Sequence, residues 1–354
     1  MGGAEVFTRE IINRLSMAGH EITLFTSEFK GSKKEEIIDK IRIIRDGGKF
    51  SVYQKAKDFY KNQHENYDIV IDEINTRPFL IPKFANNKEK IFAIIHQLAR
   101  EYWFYETPFP INYIGYYFLE SMWLKNYINI PTITVSKSTE RDLANLGFKK
   151  IYIIPEGINL KPLETIPEKE KEPTIIYLGR LKRAKRPDHA LKAFKIVKRK
   201  IPKAKLWIVG NGYLRKYLEK FALEDVKFFG HVCEEDKITL LSKAWILVNP
   251  SIREGFGLNI IEANALGTPA IAYDVPGLRD SIIDEKTGLI VKENGNVEKL
   301  AESIIRVLED DALRKTLSIN ALEYSKNFSW DRAAQEFEKI LKEAVNEIDV
   351  TLRT

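Results

Sequence analysis

From end to end the chain alternates between short apolar runs and amphipathic stretches of helical spacing, and nothing else in it constrains the fold so tightly. A strand with one wet face alternates polar and apolar residues. A strand of a parallel sheet, covered on both faces, reads instead as a continuous apolar run. The runs here are of the second kind. They cover residues 21–27, 41–47, 67–75, 90–98, 131–137 and 150–157, then 174–180, 204–210, 226–232, 245–251, 269–273 and 288–291. Between them, segments such as 4–18, 186–200 and 234–244 carry apolar residues at three- and four-residue intervals, as an amphipathic helix does. This order predicts α/β architecture built from doubly wound, Rossmann-like parallel sheets.

The rhythm breaks once, at 161–173, which is rich in Pro, Glu and Lys and has no apolar period. It reads as a linker between an N-terminal domain, 1–160, and a C-terminal domain, 174–328. Residues 329–354 read as a C-terminal helix, amphipathic from Trp330 onward, expected to pack back toward the N-terminal domain. The length of 354 residues suits two domains of ordinary size. Cys233 is the one cysteine, so an internal disulfide is excluded and a reducing compartment is expected. No apolar run reaches transmembrane length, no signal-peptide pattern opens the chain, and Val6 stands where a myristoylation signal wants Ser or Thr. A cytoplasmic location is expected, with a peripheral contact at the inner face of the membrane. The net charge of +6 is too dispersed to indicate nucleic acid but suits phosphate-bearing ligands.

In open parallel sheets ligands bind beyond the carboxyl ends of the strands. One run ends there at Asn249-Pro250-Ser251, followed by Glu254, Gly255-Phe256-Gly257 and a helix carrying Ile260, Ile261, Ala263 and Leu266. Glycines let backbone approach a ligand closely. The free N–H groups of Gly257, Leu258 and Asn259 at the helix start form an anion site of the kind that suits a diphosphate. Glu254 precedes this helix and Glu262 lies within it, and a carboxylate can accept hydrogen bonds from two neighbouring hydroxyls of a sugar or ribose. A plain helix start with surface glutamates explains the same segment about equally well.

A second strand end shifts that balance. After run 174–180 come Arg180 and, five residues on, Lys185. A departing nucleoside diphosphate gains negative charge, which enzymes neutralise either with Mg²⁺ on an Asp-x-Asp or with Arg, Lys and helix N-termini. The chain has no Asp-x-Asp. No metal and no other cofactor are therefore expected. Lys182 and Arg183 read as a solvated basic loop.

Taken together and in order, these strings resemble a retaining GT-B glycosyltransferase of family 4, the group 1 type. They are Gly179-Arg180-Leu181 with Lys185, Val209-Gly210-Asn211-Gly212, Phe229-Gly230-His231-Val232, Pro250-Ser251, Glu254-Gly255-Phe256-Gly257 through Glu262-Ala263, Gly267-Thr268-Pro269-Ala270-Ile271-Ala272 and Thr287-Gly288-Leu289, over roughly residues 150–325. The N-terminal half is similar more loosely. Gly2-Gly3-Ala4-Glu5 resembles the family's glycine loop, and His96 its histidine near the transferred sugar. Pro155-Glu156-Gly157-Ile158-Asn159 resembles its Pro-Asn-Gly-Ile-Asp turn, with Glu156 and Asn159 as departures. The aromatic-rich section 95–123 looks like a subgroup that acts in cell-surface polysaccharide synthesis.

The resemblance implies two domains facing a cleft and hexosyl transfer from a nucleotide-sugar donor to a glycan or lipid-linked acceptor, with retention of anomeric configuration. It assigns roles residue by residue. Glu254 contacts hydroxyls of the transferred sugar and Glu262 those of the ribose. Arg180 and Lys185 bind the diphosphate and stabilise its departure. Gly2 and Gly3, the loop of Gly210 and Gly212, and the amides of Phe256, Gly257, Leu258 and Asn259 approach phosphate and sugar, and His96 contacts the sugar near the reacting carbon. No general base is nominated. The family's first strand precedes the glycine loop. Here Gly2 follows Met1 directly. The natural protein is therefore expected to carry about one strand more, and without it the neighbouring strands would keep unpaired backbone groups. The stretch Trp103 to Phe109, interrupted by Pro108 and followed by Pro110, is expected as a loop rather than a plain helix. Three alternatives stay open: a non-catalytic nucleotide-sugar-binding protein, a sugar phosphorylase and an epimerase.

Overall fold

The computed structural model describes residues 2–85 and 90–353. Met1, on which the expectation about the chain start falls, lies outside them. The chain divides into two units. The first comprises Met1–Arg100, Tyr113–Gly157 and Ser329–Thr354; the second comprises Glu101–Asn112 and Ile158–Phe328.

In the first unit the helix Gly3–Met17 starts at Gly2, whose N–H donates to Glu5 Oε2 at 2.7 Å, so the Glu5 side chain reaches back to cap the helix start. Phe7, Ile11 and Leu15, spaced at four-residue intervals, form its buried stripe. The strands form two sheets. Strands β1 (Thr23–Thr26), β2 (Glu35–Ile38) and β3 (Ile41–Arg45) are ordered β1-β3-β2, with β2 antiparallel to β3. Strands β4 (Val70–Glu73), β5 (Ile91–Ile94), β6 (Thr132–Thr134) and β7 (Ile151–Ile153) form a parallel sheet in that order. Both β1 and β4 are edge strands. Among the described residues they do not pair with each other. A cavity of about 1290 Å³ is lined by both, with Leu24, Phe25 and Ile71 from the strands and Phe7 and Ile11 from the helix.

The C-terminal helix Trp330–Arg353 belongs to this first unit. Its Trp330 and Phe337 rings lie 5.8 and 6.4 Å from Phe7, and its Asp331 pairs with Arg14 at 2.7 Å. Gly157 is required there. A Cβ on it would fall 2.2 Å from the Trp330 nitrogen.

The second unit is one parallel six-stranded sheet: β8 (Thr174–Leu178), β9 (Lys205–Val209), β10 (Val226–Gly230), β11 (Ile246–Asn249), β12 (Ala270–Tyr273) and β13 (Gly288–Val291). Their order is β10-β9-β8-β11-β12-β13. The direction of winding reverses between β8 and β11, which makes the crevice beyond their carboxyl ends the switch point. Ile176, Leu206, Ile208, Leu247 and Ala270 are fully buried in the sheet, and Phe194 and Ile304 cover it from flanking helices.

All twelve expected runs carry a strand, each shorter than its apolar run except β13, which fills its run of 288–291. Strand β2 was not expected, because its side chains are largely exposed and leave no buried face to pattern. Three boundaries differ, the first only slightly, since residues 158–160 belong to the second unit. Residues 161–173 do not hang free: Leu163 N–H donates to Ala265 O at 2.9 Å, Trp245 Nε1–H to Glu170 O at 2.7 Å, and the Lys169 ammonium to Ser242 O, Leu266 O and Thr268 Oγ1. Residues 101–112, expected in the first domain, belong to the second unit. The short helix Tyr102–Glu106 lies within this segment.

Candidate functional site

In the second unit the switch point gathers most of the predicted site. Arg180 leaves the end of β8, exposed and with no ion pair among the described residues. The chain then makes a tight turn, Arg183–Lys185, before the helix Pro187–Lys200. From the adjacent β11 the chain runs through Ser251 to Glu254 and reaches the helix Leu258–Ala265 at Gly257. Gly257 has φ +88°, a left-handed conformation in which any side chain is strained. A Cβ on it would also fall 2.9 Å from Ser281 Oγ.

Two segments 69 residues apart meet in an ion pair: the Lys185 ammonium donates to Glu254 Oε2. Glu254 Oε1 accepts the Ser251 hydroxyl at 2.8 Å. Burial opposes the charge of Lys185. The Glu254 carboxylate, together with the Tyr102 hydroxyl, outweighs that and holds the ammonium protonated beyond the ordinary lysine range. A fixed cation therefore sits beside the N-terminus of a helix, where backbone amides and the helix dipole already favour an anion.

The other predicted residues divide by what their side chains do. Asn259 donates from its amide to Leu178 O at 2.8 Å and accepts from Asn249 at 3.1 Å, so its side chain joins the ends of β8 and β11 and only its backbone is left to face a ligand. Phe256 is buried against Phe328, ring centroids 5.3 Å apart. Glu262 lies farther along the helix and is paired with Lys237 at 2.8 Å. Burial raises its carboxyl above the usual range, against the pull of Lys237. Gly210 and Gly212 have a packing reason of their own: a Cβ would fall 2.0 Å from Gly179 O at the first and 2.2 Å from Leu181 O at the second.

The first unit holds Gly2, Gly3 and His96. Gly2 and Gly3 open the first helix, and a Cβ on Gly3 would meet Glu156 Oε1 at 3.5 Å. His96 is buried just past β5. Its Nε2 lies 3.2 Å from Glu73 Oε1, its ring meets the Phe7 ring edge-on at 5.0 Å, and its carbonyl accepts the Thr139 hydroxyl. Glu73 in turn accepts the Thr8 hydroxyl at 2.6 Å.

Sequence reasoning missed Glu73, Ser251, Lys237 and Tyr102. Glu73 and Ser251 carry a signal that could have found them, since each is a polar residue at or just beyond a strand's carboxyl end. Lys237 and Tyr102 carry none, because their partners are distant in sequence.

Two Rossmann-like units, the second a parallel sheet with its switch point between β8 and β11, have the architecture of the GT-B glycosyltransferases. Family models place it further: residues 1–161 match glycosyltransferase family 4 and residues 163–324 match glycosyl transferases group 1. The chain belongs to this family. The poly(glycerol-phosphate) alpha-glucosyltransferase of Bacillus subtilis is 33% identical over 188 residues, covering 50% of this chain and 27% of that protein. The chain spans 27% to 62% of the lengths of three curated relatives it matches. Among solved structures, the sucrose-phosphate synthase of Thermosynechococcus elongatus superimposes with TM-score 0.78 over 97% of this chain and 93% of its own, at 23% identity. Alr3699/HepE of Anabaena, in complex with UDP and glucose, does so with TM-score 0.68 over 97% and 96%, at 15% identity. At these identities the likeness is one of fold.

Proposed function

We propose that the chain is an enzyme that moves a hexose-type sugar from a nucleoside-diphosphate sugar to a glycan or lipid-linked acceptor, with retention of anomeric configuration and without a metal ion. The observation that carries this is the Lys185–Glu254 pair beside the start of helix Leu258–Ala265, at the β8/β11 switch point. The helix amides and Lys185 meet the diphosphate, and exposed Arg180 joins them as charge builds on the leaving group. Glu254, freed from part of its bond to Lys185, accepts sugar hydroxyls. Glu262 accepts the ribose hydroxyls. The acceptor attacks the face the leaving group vacates, and the departing phosphate takes the acceptor's proton. The Bacillus relative's glucosyl transfer and the UDP and glucose of the Anabaena structure support a hexose donor.

Cell-surface glycan or glycoconjugate synthesis on the cytoplasmic side of the membrane is the setting we infer. In the first unit Ile114, Tyr117, Phe118 and Met122, at three- and four-residue spacing, are exposed apolar side chains of the kind that enters a lipid interface. Replacing Tyr117 and Phe118 by Ser is expected to reduce flotation with anionic vesicles; unchanged flotation removes the membrane contact.

Thermal-shift screening against UDP-, GDP- and ADP-sugars, followed by transfer assays over an acceptor panel, tests the main reading. Glu262→Ala is expected to weaken donor binding about tenfold, the loss of a charged hydrogen-bonding group. Arg180→Ala is expected to leave binding nearly intact and slow transfer about a hundredfold. Unchanged kinetics in both variants overturns the site. Donor binding without turnover on any acceptor supports a binding protein instead, and phosphate-dependent release of sugar phosphate supports a phosphorylase.

A further inference from the structure

Residues 101–112 form a strap on the second unit, and each polar side chain near its start has a task. Glu101 pairs with buried Arg253 at 2.9 Å. Tyr105 accepts from Arg186 at 2.8 Å. Glu106 accepts the Ala184 N–H at 2.9 Å and the Tyr213 hydroxyl at 3.3 Å, and so grips the turn that carries Lys185. Between them stands Tyr102. Its hydroxyl donates to Arg253 O at 3.2 Å, which commits its one proton. Its oxygen is then left as an acceptor beside Lys185, whose charged form it favours. The ring faces Lys185 and Lys182 as well, with their ammonium nitrogens 5.8 and 5.0 Å from its centroid.

We infer that Tyr102 is a positioning residue for Lys185, holding the ammonium where the donor diphosphate needs it. This rests on the reading of Lys185 given above. A lysine on a flexible four-carbon stem must be held to act at one point. Glu254 alone holds it at a cost to function, because a paired carboxylate cancels the charge that the leaving group needs, and because Glu254 turns to sugar hydroxyls when donor is bound. A phenol oxygen whose proton is committed elsewhere fixes the ammonium and leaves its charge whole. The strap keeps that oxygen in place through contacts on both sides of it.

Tyr102→Phe removes the oxygen and keeps the ring. The expected result is a fall in kcat of about ten- to a hundredfold, with donor KM changed less than about threefold and the melting temperature unchanged. The alkaline limb of the kcat profile should move to lower pH, because Lys185 has lost an acceptor that favours its protonated form. In a Lys185→Met background the same substitution should cost nothing further. Wild-type kcat and pH profile in Tyr102→Phe, with Lys185→Met impaired, overturns the positioning role and leaves the site intact. A lower melting temperature and higher KM with an unmoved pH profile also overturns it, since that is a packing effect. Full activity of Lys185→Met overturns the site reading itself.

Discussion

At the scale of single residues, Asp72 shows what the interior asks of a carboxylate. It sits in β4, 1% exposed, accepting the Tyr127 hydroxyl and, at 3.3 Å, the Phe79 N–H. Burial pushes its carboxyl up from 3.8 to about 6, although the Tyr127 hydroxyl and the N–H groups of Phe79, Ile81 and Leu80 pull the other way. The sign follows. Between those two values the folded chain keeps a proton that the unfolded chain has released. Asp72 therefore makes folding less favourable as pH rises through that window, by about 3 kcal/mol over its whole width. Asp72→Asn keeps an acceptor for Tyr127 and loses the titration. The stability of the variant relative to wild type should rise by about that amount from pH 4 to pH 7, read from hydrogen exchange of the β5 amides. Parallel pH curves for the two proteins would show that Asp72 is ionised in the fold at no cost.

Among the elements, what could be read in advance was what is written locally. Strands covered on both faces must be apolar throughout, so β8, β9 and β11 announce themselves, and the glycines and Glu254 after β11 mark a helix start at a strand end. Strand β2 lies largely in water and writes no pattern. The strap is a sharper case. Glu101 finds Arg253 across 152 positions and Glu106 finds Ala184 across 78, so no local spacing says which unit the aromatic stretch joins. The segment 161–173 shows the converse. It has no apolar period because it docks in extended form, through backbone groups, Lys169 and scattered apolar contacts such as Leu163, rather than along one helical face. The same limit governs the site. Arg180, Lys185 and Glu254 were legible as strand-end residues, whereas the pairing of Lys185 with Glu254 and the cap supplied by Tyr102 are products of the fold. Asn259 was legible only as a position. Its side chain bridges β8 and β11 rather than a ligand.

Across the whole molecule the two units are built to different standards. The second has one continuous sheet with helices over a single large core. The first splits its strands between two sheets, and the edges of β1 and β4 line a cavity of about 1290 Å³. In β4, Val70 donates to Lys90 O and Ile74 to Ile94 O, so the alternation of a parallel ladder turns the N–H groups of Ile71 and Glu73 away from β5. Edge groups facing an open cavity open to water without breaking any ladder bond. Native-state hydrogen exchange should therefore show Ile71 and Glu73 exchanging far faster than Phe92 and Ala93 in neighbouring β5. Under rising urea, the β5 amides should lose protection before those of Ile176 and Leu247 in the second unit. A small apolar molecule that fills the cavity should narrow the second difference, because it stabilises only the unit that binds it. Equal protection in the two units, with or without such a filler, would mean that the split sheet and its cavity cost the first unit nothing.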